Sequence, residues 1–158
     1  MKKIMGPLGG FALAMALSLV TTCSANAQTS MQSASPEFAA APAEIVWHDY
    51  LDSGWRESKR TGRPMVIFIT AARCRYCDAM KTGTWRDLGI ESRVGTEFVA
   101  VRLTPEQNSA ELSRISVAVY PTTLVALPQG KVIDHRTGFQ PPSLLHGLLN
   151  RVSGRHPG

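Results

Sequence analysis

The chain has 158 residues, 44% hydrophobic and 18% charged, with a formal net charge of +5. That length suggests one domain once a leader is set aside, and the composition is that of an ordinary soluble globular protein with enough apolar residues for one core. The charge is modest and the basic residues are scattered, without the dense or aromatic-interleaved runs of a nucleic-acid binder.

The N-terminus reads as a secretory signal. Lys2 and Lys3 precede an apolar run, Leu8 to Val20, of 13 residues. A membrane span needs about 20. The small-x-small stretch Ala25-Asn26-Ala27 follows, as at a cleavage site. Residues 1–27 are therefore expected to be a signal peptide and the mature chain to be exported, with the periplasm as its compartment. An uncleaved anchor and lipid attachment at Cys23 are the rivals, and Thr22 before that cysteine fits lipidation poorly. Loss of Lys2 and Lys3, with no acid in residues 1–27, lowers the net charge from +5 to +3. It also removes Cys23, so Cys74 and Cys77 are the two cysteines left of three. In an oxidising compartment disulfides persist, and this is the one pair that can close within the mature chain.

Residues 28–43 are rich in Ser, Ala, Gln and Pro and are expected to be a flexible linker. Residues 44–158 form the expected domain. Trp47, Tyr50, Leu51 and Trp55 recur at three- and four-residue steps, which predicts a helix over residues 47–61, ended by Gly62 and Pro64. Met65 to Thr70 is a short continuous apolar run and predicts a buried strand. A helix over 75–83 and a short helical turn over 88–94 follow. Phe98 to Leu103 predicts a second strand, and Pro105 opens a helical stretch to about Ile115. Thr122 to Leu127 and Val132 to Thr137 predict two strands joined by the turn at residues 128–131. A helix over 142–152 carries Leu144, Leu145, Leu148 and Leu149. Strands separated by helices imply parallel pairing through right-handed crossovers, and the final hairpin adds antiparallel edges. The expected fold is an α/β sandwich around a mixed sheet.

The stretch Ala71 to Met80, AARCRYCDAM, holds the chemistry. Its cysteine pair follows a buried strand and opens a helix. Unpaired N–H groups at a helix start carry partial positive charge and favour a thiolate, the attacking species in disulfide exchange. Cys74 would sit exposed at the first turn as the attacking thiol. Cys77 lies almost one turn later on the same face, placed to resolve a mixed disulfide. Arg73 and Arg75 add positive charge, lowering the Cys74 pKa below the free-thiol value of about 8.5 and making the disulfide more oxidising.

Other readings of the pair stay open on the residues alone. Structural zinc needs four ligands, whereas His48, His135, His146 and His156 are scattered and one cysteine pair remains, so no metal is expected there. Copper binding has more support, because Cys74, Cys77 and Met80 repeat every three residues and soft sulfur suits Cu(I). Met80, however, is expected on the helix face that packs on the sheet. A static crosslink in a non-catalytic binding module is the third reading.

FITAARCRYCDAM, followed by VAVYPTTLVAL and GKVIDHRTGF, resembles the thioredoxin-fold family over about residues 45–152. SKRTGRPMVIFI resembles, more narrowly, the entry into the first core strand of its exported thioredoxin-like domains. The resemblance implies a thioredoxin fold with a four- to five-stranded mixed sheet flanked by helices. It implies a cis Pro121 beside the cysteine pair, with the Tyr120 backbone free to pair with an extended substrate. Tyr120, Pro121 and Thr122 would shape that groove. The implied activity is thiol–disulfide exchange with protein thiols and disulfides, needing a separate redox partner protein and no organic cofactor, since the cysteines carry the electrons. The chain departs from thioredoxin itself in three places. Arg73 stands where many thioredoxins have Trp, and Arg75-Tyr76 where they have Gly-Pro. Phe68 stands where they bury the Asp that assists proton transfer from the second thiol.

Overall fold

A computed structural model describes residues 44–153. The expected signal peptide, residues 1–27, and linker, residues 28–43, lie outside the described residues. The elements run β1 (Trp47–His48), α1 (Leu51–Thr61), β2 (Met65–Ile69), α2 (Arg75–Thr82), a single 3₁₀ turn (Thr84–Arg86), α3 (Leu88–Glu97), β3 (Val99–Leu103), α4 (Ser109–Arg114), β4 (Thr122–Ala126), β5 (Val132–Thr137) and α5 (Pro142–Ser153).

Five strands form one mixed sheet in the order β1-β3-β2-β4-β5. β2 is central and fully buried along its length. It pairs parallel with β3, Met65 opposite Val99, and antiparallel with β4, Met65 opposite Ala126. Helices cover both faces, which is why β2 reads as an unbroken apolar run. Val66, Phe68, Ala100 and Val125 face a core shared with α2, α3 and α5. Met65, Ile67, Ile69, Val101, Leu103 and Leu124 face the opposite core, where Leu51 and Trp55 of α1 and Leu112 of α4 pack.

Three expectations are corrected. Residues 47–48 are a strand on β3, not the start of a helix; Trp47 pairs with Ala100. The helical spacing there was coincidental, because Trp47 packs into one core while Leu51 and Trp55 pack into the other. The helix expected from Pro105 shrinks to Ser109–Arg114. Buried Asn108 takes the intervening backbone into a turn: its Oδ1 accepts from the Thr104 N–H at 2.9 Å and its Nδ2 donates to the Asp49 carbonyl at 3.0 Å. The parallel arrangement expected between the second and third core strands also fails. β4 does not join β3; it crosses to the far side of β2 and runs antiparallel to it, so only β5 of the final hairpin is an edge.

Gly54, which weakens the helix signal, is required by packing. A Cβ there would lie 2.3 Å from Val101 Cγ2 on β3, so α1 approaches the sheet this closely only with glycine. α1 ends as expected at Gly62, whose positive φ of 73° caps it.

α3 runs to Glu97, beyond the short turn expected, and begins at a real cap. Asp87 accepts from the Ile90 N–H at 3.1 Å and meets the His146 ring of α5 at 3.0 Å. The Ile90 hydrogen bond, seconded by His146, holds the Asp87 carboxyl below the ordinary carboxylate range. A depressed carboxyl contributes stability above its unfolded-state pKa and loses it as pH falls through the folded value. Asp87→Ala is therefore expected to cost about 1 kcal/mol in urea unfolding near neutral pH. The difference from wild type should shrink in acid, as pH falls through the lowered pKa of the Asp87 carboxyl and wild type loses the charge too. An equal deficit near neutral pH and in acid would contradict the charged cap.

Candidate functional site

The cysteine pair sits where β2 hands over to α2. Thr70, the first residue past β2, still donates its N–H to the Leu103 carbonyl at 2.9 Å, so the sheet holds the chain up to the loop. Arg73 then takes a positive φ of 54°, a left-handed backbone that non-glycine residues adopt at a cost of about 1–3 kcal/mol. Cys74 follows as the N-cap of α2, and its Sγ accepts from the Cys77 N–H at 3.2 Å. Its carbonyl accepts from the Asp78 N–H at 3.0 Å, the first bond of the helix. The two sulfurs are bonded at 2.10 Å, with the Cα atoms 5.1 Å apart. Cys77 is fully buried in the α2-side core; Cys74 is half-buried and packs against it, less open than expected.

The Tyr120–Pro121 bond is cis, as the family resemblance implies. It opens β4 at the same end of the sheet, since Thr122 pairs with Ile69, the last residue of β2. The Pro121 carbonyl accepts from the Gly138 N–H at 2.7 Å. Tyr120, partly buried, packs against both cores. Thr122 is fully buried, and its hydroxyl donates to the Val119 carbonyl at 2.7 Å, so its side chain serves the loop.

Arg73 and Arg75 are both exposed beside the pair. The Arg75 guanidinium lies over the Tyr76 ring, 4.5 Å from its centroid, and donates to the Tyr76 hydroxyl at 2.6 Å. Met80 is fully buried in the α2-side core, its thioether among apolar side chains, as its place on the helix predicted. Phe68 lies in the same core with Cys77, between Trp47 and Trp85 at ring-centroid distances of 6.2 and 5.3 Å. It helps line a cavity of about 320 Å³ whose rim carries Lys81, Arg86 and Arg102.

Two features escaped the sequence reading. Phe139 is exposed beside Tyr76, their ring centroids 6.4 Å apart, next to the Gly138 N–H that binds Pro121. The Gly-Phe pair at the end of GKVIDHRTGF was its only signal, and residue type alone does not give its position. The second is a pair of buried hydroxyls, Thr70 and Thr123, whose alignment depends on strand register.

The comparisons agree with this geometry. A thioredoxin from Thermus thermophilus superimposes with a TM-score of 0.63 at 22% identity, covering 69% of this chain and 87% of that one. A DsbH oxidoreductase does so with a TM-score of 0.59 at 18% identity, covering 78% and 90%. A thioredoxin from Trypanosoma brucei brucei gives 0.56 at 20% identity, covering 72% and 95%. At these identities the likeness is one of fold. None of the curated proteins compared matches the chain. The model of the thioredoxin-like domain matches residues 51–153. Together with the mixed sheet and the bonded C-x-x-C pair, that match shows that the chain belongs to the thioredoxin-like domain family.

Proposed function

We propose that this chain is an exported thiol–disulfide oxidoreductase that exchanges disulfides with protein substrates through Cys74 and Cys77. The observation that carries the reading is the Cys74–Cys77 disulfide at the N-terminus of α2, with the half-buried sulfur at the cap and the buried one behind it. In the dithiol form the same cap geometry favours a Cys74 thiolate, because the Cys77 N–H already points at its sulfur. Cys74 then attacks a substrate disulfide and Cys77 resolves the mixed disulfide. Arg73 and Arg75 add positive charge that favours the thiolate.

The substrate lies along the Tyr120–Pro121 segment as an added strand, with Thr122 holding the loop from below. Exposed Tyr76, Val119 and Phe139 around the pair suit apolar side chains flanking a substrate cysteine. A separate redox partner protein restores the pair. Export is supported by the apolar run at Leu8 to Val20 and the Ala25-Asn26-Ala27 stretch. The test is catalysis of insulin reduction by dithiothreitol. Acceleration by the wild-type chain is expected, and a rate equal to dithiothreitol alone would contradict the reading.

A further inference from the structure

Among the described residues three buried side-chain polar atoms have no hydrogen-bond partner: Trp85 Nε1 and the hydroxyls of Thr70 and Thr123, the last two in residues 1% and 0% exposed. A buried hydroxyl left unpaired is costly, so a partner in another state of the molecule is expected. Both hydroxyls lie on the sheet face that carries α2. Val66 and Phe68 face that core, and Thr70 follows in the same alternation. Thr123 is the cross-strand partner of Phe68 and alternates with Val125, which faces the same core. Cys77 is buried in this core with Phe68. Phe68, flanked by the two threonines, offers no polar atom.

Arg73 is exposed in the loop before Cys74, and the other charged groups on the surrounding elements have partners of their own. Asp78 pairs with Lys81 at 3.3 Å, Arg86 with Glu91 at 3.2 Å, Arg102 with Asp49 at 2.6 Å, and His146 with Asp87 at 3.0 Å. On β5, Asp134 pairs with Arg136 and Arg151, and Arg75 is held by Tyr76. Among the described residues none of these hydrogen-bonds to Cys77.

We propose that Thr70 and Thr123 are positioning residues for the resolving sulfur: when the disulfide is open, their hydroxyls donate to Cys77 Sγ and stabilise its thiolate. The assignment rests on the exchange function proposed above. In the step concerned, a substrate sulfur is bonded to Cys74. The Cys77 thiol loses its proton and its sulfur attacks Cys74 Sγ. The Cys74–Cys77 bond forms, the Cys74–substrate bond breaks, and the leaving sulfur takes the electron pair and, through water, a proton. Over mixed-disulfide formation and resolution together the cysteine pair is oxidised by two electrons and the substrate disulfide is reduced by two. The hydroxyls act only on the deprotonation that precedes attack.

The test follows oxidised glutathione reacting with the reduced full chain across pH, with acid quenching to separate formation of the Cys74–glutathione disulfide from its resolution. Thr123→Val and Thr70→Val are each expected to slow resolution about tenfold near neutral pH and to raise its pH midpoint by about one unit. Formation of the mixed disulfide should be unchanged. Thr123→Ser, which keeps the hydroxyl, is expected to resolve at the wild-type rate. Thr123→Ala and Thr70→Ala remove the same hydroxyls and give the same reading if a valine variant does not fold. Wild-type rates and midpoints in variants lacking either hydroxyl would overturn the assignment while leaving the exchange function standing. A wild-type chain that forms no glutathione adduct would overturn both.

Discussion

Cys74→Ser is expected to reduce disulfide exchange to background, because it removes the sulfur at the helix cap and leaves a buried one with little access to substrate. Cys74 is the half-buried member of the pair and Cys77 the fully buried one. The two serine variants should therefore differ in kind. Cys77→Ser keeps the attacking thiol and loses the resolving one, so mixed disulfides with substrate proteins should accumulate at Cys74. Non-reducing gels followed by mass analysis of the trapped adducts would check this. Full insulin-reducing activity in Cys74→Ser would contradict the assigned roles, as would adducts at Cys77 in that variant. Each substitution also removes the crosslink seen here, so the comparison belongs between the two serine variants, which lose it equally.

The second large effect is on stability. Phe68→Ala is expected to cost about 3–5 kcal/mol, the usual range for emptying a fully buried aromatic site. Phe68 is 1% exposed on the central strand and packs between Trp47 and Trp85. Trp47 and Trp85 meet edge to face at 5.1 Å, so removing the third ring leaves a cavity that two rigid indoles fill poorly. A fall in Tm of roughly 15 °C or more follows for a domain of this size. A loss below about 1 kcal/mol would mean that the cluster collapses onto the vacancy and that Phe68 contributes little to the core. The ring puts apolar packing on the central strand in the same core as Cys77.

Much of this architecture was legible in the residues because the signals were local. Met65 to Thr70 could hardly be anything but a buried strand, and the boundaries of β5 were read correctly because a Pro-Gly turn precedes it. The cysteine pair was located by motif and its closure read from the cysteine count, while the cis bond at Pro121 followed from resemblance. The misreadings came where tertiary contacts overrode local pattern. Trp47 has helical spacing to Leu51 yet pairs with β3, and buried Asn108 turns a stretch whose composition favours helix. Phe139 and the Thr70–Thr123 pair were unreadable because they depend on which strands are neighbours. The order β3-β2-β4 sets Thr123 opposite Phe68, and nothing in residues 117–127 says so alone.

The most direct test of the central claim is a redox titration of the purified chain. It would be equilibrated in glutathione and dithiothreitol buffers, with the Cys74 and Cys77 thiols counted by alkylation and mass. A reversible two-electron transition is predicted. A midpoint near about −120 to −180 mV would place the chain with oxidases and isomerases, and one near about −270 mV with reductases. A pair that stays oxidised throughout, or opens without closing again, would contradict disulfide exchange and leave a static crosslink at the head of α2.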